Sequence, residues 1–140
     1  YVGLPAPILE VVKQRELLEL ERRELLYREG RAAVEIEGRI VILVDDGLAT
    51  GSSMLAAVEA VRRMRPARIV VAVPVAASEA FATLRRAADE CVSASTPDPF
   101  IAVGRWYRDF AQTTDDEVRD ILARESARQK VSSCAEGDVR

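Results

Sequence analysis

Histidine is absent from this 140-residue sequence, and cysteine occurs only twice. The lack of histidine removes the commonest general base and the commonest metal ligand of enzymes. The cysteines, Cys91 and Cys134, fit no metal-binding spacing, so we expect free thiols in a reducing compartment. No apolar run reaches the roughly 18 residues of a membrane span, and no signal peptide is visible. We therefore expect a cytoplasmic protein without a membrane partner.

A strong charge of one sign is missing as well. The formal net charge of -3 gives no general attraction to nucleic acid, so no nucleic-acid partner is expected. The length suits one domain with its own core, which we assign to residues 1–125. Within it we expect an N-terminal helix and connector over 1–38, a core over 39–95, and an aromatic loop and final helix over 96–125. Residues 126–140 are polar and are expected to be disordered.

The middle of the sequence alternates apolar strands with amphipathic helices. The predicted elements are helix 8–28, strand 39–44, helix 52–65, strand 67–76, helix 78–88, strand 91–95 and helix 115–124. We expect strand pairing to end at Pro74, which has no N–H to donate. Ser78, and Thr113 or Thr114, are the expected N-caps of the helices that follow them. This order is typical of an α/β fold, in which a Rossmann-like open parallel sheet has helices on its faces.

One stretch, Arg39–Met54 (RIVILVDDGLATGSSM), has the features of a ligand site. Its apolar part, Ile40–Val44, predicts a strand buried on both faces. Two acids, a loop of small residues from Gly47 to Ser53 and a helix follow, at the sheet end where ligands bind. Free N–H groups at the helix start and the loop hydroxyls would hold a phosphate. The glycines of the loop would let the backbone turn tightly and approach the ligand.

The two acids, Asp45 and Asp46, predict a different partner from the phosphate. Carboxylates accept hydrogen bonds from a vicinal diol, provided that the chain leaves strand geometry near Asp46 so that both can face one ligand. Diol and phosphate together describe ribose 5-phosphate. One alternative is that an acid caps a neighbouring helix and the loop is a plain turn. A Walker-type nucleotide site lacks its lysine here, and a phospho-acceptor receiver domain needs a further Asp at a later strand end.

The segment VILVDDGLATGSSM resembles the phosphoribosyl pyrophosphate (PRPP) signature of type I phosphoribosyltransferases. The resemblance runs from about Glu35 to Leu122, includes PDPFIAVGRWYRDF, and is greatest for a bacterial group with unassigned substrates. It implies transfer of ribose 5-phosphate from PRPP to a nitrogen acceptor, with release of pyrophosphate. Mg²⁺ would be held through PRPP, with no direct protein ligand. The resemblance implies roles for Asp45 and Asp46 at the ribose, for Ala49, Thr50, Gly51, Ser52 and Ser53 at the 5-phosphate, and for Phe100 or Trp106 in base stacking.

Two departures from that family narrow the hypothesis. Purine-salvage members carry an acid where this chain has Ala49, which argues against a purine acceptor. The pyrophosphate-binding loop and the flexible loop of the family have no counterpart in residues 1–38, so we expect the C-terminal part of the domain. A non-catalytic PRPP- or nucleotide-binding regulator, or an inactive fragment, therefore stands as the alternative. An incomplete sheet would expose apolar surface, which leaves a homo-oligomer open.

Overall fold

The computed structural model describes residues 5–28, 30–31 and 33–136. Their contacts form two compact units, where one domain over 1–125 was predicted. The sheet unit is Val34–Ala111, and the helix unit combines Tyr1–Ala33 with Gln112–Arg140. The elements in chain order are α1 (Ala6–Arg28), β1 (Ile40–Val44), α2 (Ser52–Arg63), β2 (Arg68–Val75), α3 (Ser78–Ala87), β3 (Glu90–Ser95), the 3-10 helix η1 (Val103–Trp106) and α4 (Asp115–Glu136).

The sheet unit contains three parallel strands in the order β1-β2-β3. Val41 pairs with Ile69, and Val71 pairs with Cys91, so β2 lies in the centre. The connections run through α2 and α3, as parallel strands require a crossover. The prediction of an α/β fold with an open parallel sheet and flanking helices is confirmed.

The core of the sheet unit lies between one face of the sheet and these two helices. Alternate residues of β2 point into it because side chains of a strand alternate between faces. From the helices, Met54 and Val58 of α2 and Ala80 and Leu84 of α3 lie four residues apart on one helix face and join the same cluster. The β2 residues of the core are Ile69, Val71, Val73 and Val75, of which the first two have no exposed surface.

The opposite face of β1 is exposed, which corrects the prediction of a strand buried on both faces. Ile40, Ile42 and Val44 are 65%, 61% and 73% exposed, whereas Val41 and Leu43 are half-buried. Both α2 and α3 contribute to the same core cluster and thus cover the same face. A continuous apolar run therefore predicts the strand here, but it does not predict the number of covered faces.

Two local predictions in this unit are wrong. Pairing does not end at Pro74, because Val73 pairs with Ser93 and Val75 pairs with Ser95, so the register steps over the proline. Ser78 is the first residue of α3 and not its cap; Ala77 occupies the N-cap position and no side chain caps this helix.

The helix unit is held by polar contacts between α1 and α4. The Tyr27 hydroxyl donates to Oδ1 of Asp115 at 2.6 Å, and Nη2 of Arg22 lies 3.1 Å from Oδ2 of the same carboxylate. The first of these hydrogen bonds, helped by Arg22, holds the pKa of Asp115 below its ordinary value. α1 contains no buried residue. No helix of the described residues is long and apolar enough to cross a membrane.

α4 begins as predicted but ends later. Glu117 N–H donates to Oγ1 of Thr114 at 3.3 Å, and Thr114 N–H donates back to Glu117 at 2.8 Å, which confirms Thr114 as the cap within a capping box. The helix continues to Glu136, so the prediction of disorder from Ser126 is wrong for residues 126–136. Neither glycine nor proline occurs there to end a helix before Gly137, and residues 137–140 lie outside the described part.

Candidate functional site

The loop after β1 leaves the sheet and returns to it within four residues. The strand ends at Val44, and Leu48 then forms a parallel bridge with Ala76. Leu48 N–H donates to the carbonyl of Val75 at 2.9 Å, and Ala77 N–H donates to the carbonyl of Leu48 at 2.8 Å. The two acids therefore lie in a short excursion that is anchored at both ends. This is the departure from strand geometry that a shared ligand requires.

The two carboxylates of this excursion are exposed. Asp46 N–H donates to Oδ1 of Asp45 at 2.9 Å, which orients the first carboxylate. The Asp46 carboxylate forms no hydrogen bond or ion pair with any residue that the structure describes. One oxygen of Asp45 and both oxygens of Asp46 are therefore open to a ligand with hydroxyl groups.

A cavity of about 190 Å³ lies beside the loop. Its lining residues are Asp45, Gly47, Leu48, Ala49, Thr50, Gly51, Ser52, Ser53, Met54 and Val103. This list includes every residue that the sequence places around a 5-phosphate, and one of the two acids. Sites for whole small molecules commonly measure about 300–1,000 Å³, so this cavity fits part of a sugar phosphate rather than all of PRPP.

The start of α2 supplies backbone donors to this cavity. Gly51 is the N-cap residue with a φ of 72°, a left-handed conformation that favours glycine. Gly51 has no side chain that could cap the helix, and Ser52 N–H donates to Oγ1 of Thr50 at 3.4 Å. No described group accepts a hydrogen bond from the N–H of Ser53 or Met54. The Thr50 hydroxyl lies 3.1 Å from Oγ of Ser52, so both hydroxyls face the same helix end. Unpaired N–H groups at a positive helix end, with hydroxyls beside them, are suited to an anion.

Gly47 is needed for packing within the protein. A Cβ at this position would lie 2.7 Å from Cγ1 of Val103 and 2.9 Å from Cγ1 of Val75, closer than carbon atoms can approach. The sequence predicted that this glycine allows the approach of a ligand. In the structure it allows the approach of the segment that follows β3.

That segment brings Val103 and Tyr107 to the loop. Val103 lines the cavity, and the Tyr107 hydroxyl donates to the Asp46 carbonyl at 2.5 Å. Neither residue was singled out from the sequence, which instead drew attention to Phe100 and Trp106. Phe100 is half-buried in the loop before η1, Trp106 at its end is 48% exposed, and neither lines the cavity. Their role in base stacking stays a prediction.

Other kinds of site find little support. Among the described residues, no group of three or more His, Cys, Asp or Glu is placed to hold a metal ion. β2 ends in Val75 and continues into Ala76, so the later acid that a phospho-acceptor receiver domain needs is not at this strand end.

Comparisons with known proteins identify the family of the chain. The phosphoribosyl transferase domain family matches residues 3–105. Two Mycobacterium tuberculosis proteins, "Putative phosphoribosyl transferase MT0597" of strain CDC 1551 / Oshkosh and "Putative phosphoribosyl transferase Rv0571c" of strain ATCC 25618 / H37Rv, are each 41% identical over 121 residues. The match covers 86% of this chain and 27% of each relative, so the chain spans about a quarter of their length.

A solved structure shares the fold. The crystal structure of TT1426 from Thermus thermophilus superimposes with a TM-score of 0.72 at 47% sequence identity. The alignment covers 81% of this chain and 53% of that one. Family match, relatives and fold agree with one another, and the chain belongs to the phosphoribosyl transferase domain family.

Proposed function

We propose that this chain binds the ribose 5-phosphate part of PRPP and that its protein transfers this group to a nitrogen acceptor. The observation that carries the proposal is one cavity lined both by Asp45 and by the start of α2, where the N–H groups of Ser53 and Met54 have no described acceptor. The carboxylates of Asp45 and Asp46 accept from the ribose hydroxyls. The N–H groups of Ser53 and Met54, with the hydroxyl of Thr50, bind the 5-phosphate.

The proposed reaction breaks the bond between the anomeric carbon and pyrophosphate and forms a bond from that carbon to the acceptor nitrogen. Positive charge develops on the ribose in the transition state, and the nearby acid pair stabilises it. Mg²⁺ on the PRPP oxygens would neutralise the departing pyrophosphate. Because pyrophosphate is a good leaving group, the chemistry does not require histidine. Ala49, which carries no acid toward the acceptor, favours an acceptor other than a purine.

Calorimetric titration with PRPP and Mg²⁺ tests the binding half of the proposal. Replacing Asp45→Asn together with Asp46→Asn should weaken PRPP binding by at least about tenfold, since hydrogen bonds to charged groups contribute about 1.5–3 kcal/mol each. The double variant Glu59→Gln with Glu79→Gln removes the same charge from exposed positions of α2 and α3 and should bind as the parent does. Equal affinity of parent and acid-pair variant would contradict the assignment of the ribose site.

Thr50→Val and Ser53→Ala test the phosphate half. Thr50→Val keeps the shape of the side chain and removes a hydroxyl that faces the start of α2. Each variant should lower the affinity for inorganic phosphate and the affinity for PRPP by a similar factor of about three to ten, as expected for the loss of one hydrogen bond. If only the affinity for PRPP fell, the assignment of the 5-phosphate to this loop would be wrong.

The second candidate is a regulator that binds PRPP or a nucleotide without reacting, or an inactive fragment. The observation that favours it is the size of the cavity, about 190 Å³, which fits part of a sugar phosphate rather than all of PRPP. A pyrophosphate-release assay with a panel of nitrogen bases separates the candidates. Release of pyrophosphate with any base supports the transferase, whereas binding of PRPP without release with any base supports the non-catalytic candidate.

A further inference from the structure

The backbone of Asp46 is held on both sides of its Cα. Its N–H donates to Oδ1 of Asp45 at 2.9 Å, and its carbonyl accepts from the Tyr107 hydroxyl at 2.5 Å. Asp45 and Tyr107 lie on opposite sides of this residue in the sequence, one next to it and the other 61 residues later. The Asp46 side chain itself has no partner among the described residues. The backbone therefore sets the position of its Cα and the direction of its Cα–Cβ bond, and the side-chain torsions χ1 and χ2 choose among the staggered rotamers.

Packing fixes the position of Tyr107. Its ring contacts that of Phe110 with centroids 5.1 Å apart, and the Phe110 ring lies so close to Gly104 that a Cβ there would come within 2.8 Å of it. At the start of η1, Val103 packs against Gly47, the residue after Asp46. The segment from Val103 to Phe110 thus contacts the loop that carries Asp45 and Asp46 through one apolar contact and one hydrogen bond.

We propose that Tyr107 is a positioning residue for the ribose site: its hydroxyl holds the Asp46 peptide so that the Asp46 carboxylate meets a ribose hydroxyl. This inference rests on the proposed function. An untethered loop backbone would lose conformational freedom when the sugar binds, whereas a tethered backbone has already lost it. Tyr107 does not touch the ligand in this arrangement and acts through Asp46.

The test compares Tyr107→Phe with the parent in calorimetric titrations with ribose 5-phosphate and with inorganic phosphate. Phenylalanine keeps the ring contact with Phe110 and removes only the hydroxyl. We expect affinity for ribose 5-phosphate to fall about threefold to tenfold, as for one neutral hydrogen bond, with affinity for phosphate unchanged. The matched control is Tyr27→Phe, which removes a hydroxyl in the helix unit and should change neither affinity.

A double-variant comparison separates positioning from a general loss of structure. In the background of Asp46→Asn, where the ribose contact is already weakened, Tyr107→Phe should have little further effect. The Gly47 amide, which shares a peptide plane with the Asp46 carbonyl, should also shift in the nuclear magnetic resonance spectrum of the ligand-free variant.

Each other outcome overturns a specific claim. If Tyr107→Phe weakens phosphate and ribose 5-phosphate equally, the residue is structural and the positioning claim is wrong. If the variant binds ribose 5-phosphate as the parent does, positioning is wrong while the proposed function stands. If the parent binds phosphate but neither ribose 5-phosphate nor PRPP, the proposed function is wrong and the positioning claim falls with it.

Discussion

The two units of this protein are stabilised by different kinds of interaction. Every buried hydrophobic residue of the described chain lies in the sheet unit, and all of them except Val75 belong to one cluster formed by the sheet with the helices α2 and α3. In the helix unit α1 has no buried residue, and exposed or half-buried hydrogen bonds to Asp115 join it to α4. The candidate site is therefore built on apolar packing, which depends little on pH and salt. The helix unit depends on charged contacts, which depend on both.

The largest expected difference between the units comes from removing a leucine from each. Leu84 is 1% exposed in the core, and Leu25 of α1 is 78% exposed. Leu84→Ala should lower the free energy of unfolding of the sheet unit by about 2–5 kcal/mol, because it leaves a cavity. Leu25→Ala should change it by less than about 0.5 kcal/mol.

Amide hydrogen exchange in β2 measures this difference in the intact chain. Exchange at Val71 and Val73 should accelerate in Leu84→Ala and stay as in the parent in Leu25→Ala. Similar acceleration in both variants would show that the helix unit shares the core, and the contrast between the units would be lost.

The next largest effect is expected at Gly47, where the loop of the candidate site packs against β2 and η1. Gly47→Ala introduces a Cβ at 2.7 Å from Val103 and 2.9 Å from Val75, and overpacking of this kind costs about 1–3 kcal/mol. We expect a lower Tm and weaker PRPP binding. Adding Val103→Ala to Gly47→Ala should recover part of both, since it removes the nearer of the two contacts. Recovery of neither would mean that the glycine is required for another reason.

Much of the fold and the loop could be predicted because their signals are local in sequence. Apolar runs and helical patterns indicated the three strands and their connecting helices, and the acid pair with its hydroxyl loop is contiguous. The exposed face of β1 could not be predicted, since apolar Ile40, Ile42 and Val44 do not indicate what covers them. Tyr107 was missed because its contact with Asp46 joins residues 61 apart, and no spacing rule indicates such a pair.

A smaller effect tests the charged contacts of the helix unit. The Tyr27 hydroxyl and then Arg22 lower the pKa of Asp115, so the folded state binds a proton there less readily than the unfolded state. This contribution to stability is fully present above the ordinary value of 3.8 and is lost as the pH falls through the lowered folded pKa. Asp115→Asn should therefore destabilise the α1–α4 pair at pH 7 and remove part of its loss of stability in acid.

Thermal unfolding followed by circular dichroism at pH 7 and at pH 3 measures that change. Asp120→Asn, at an exposed position of the same helix, is the matched control and should behave as the parent does. Added salt should weaken the ion pair of Asp115 with Arg22 and so lower the Tm of the parent, and it should leave the Tm of Asp115→Asn nearly unchanged. An identical acid response in parent and Asp115→Asn would remove the claim that this carboxylate distinguishes the helix unit.

The smallest expected change in the free energy of unfolding comes from the backbone conformation of one residue in the sheet unit. Neither apolar burial nor charge determines whether this change is a gain or a loss. Arg65 follows the C-cap of α2 with a φ of 56°, a left-handed conformation that is costly for a residue with a Cβ. Arg65→Gly relieves that strain, loses an exposed ion pair with Glu37 and makes the unfolded chain more flexible. The net expectation is a gain of about 1 kcal/mol or less in the free energy of unfolding.

The control variant Glu59→Gly, inside α2, should instead cost about 1 kcal/mol, because glycine is unfavourable at a helical position. Opposite signs for two glycine substitutions at the same helix, measured by denaturant unfolding, would show that backbone conformation contributes to the sheet unit independently of its core. If both variants lost the same free energy of unfolding, the Arg65 side chain would contribute more to stability than its left-handed backbone costs.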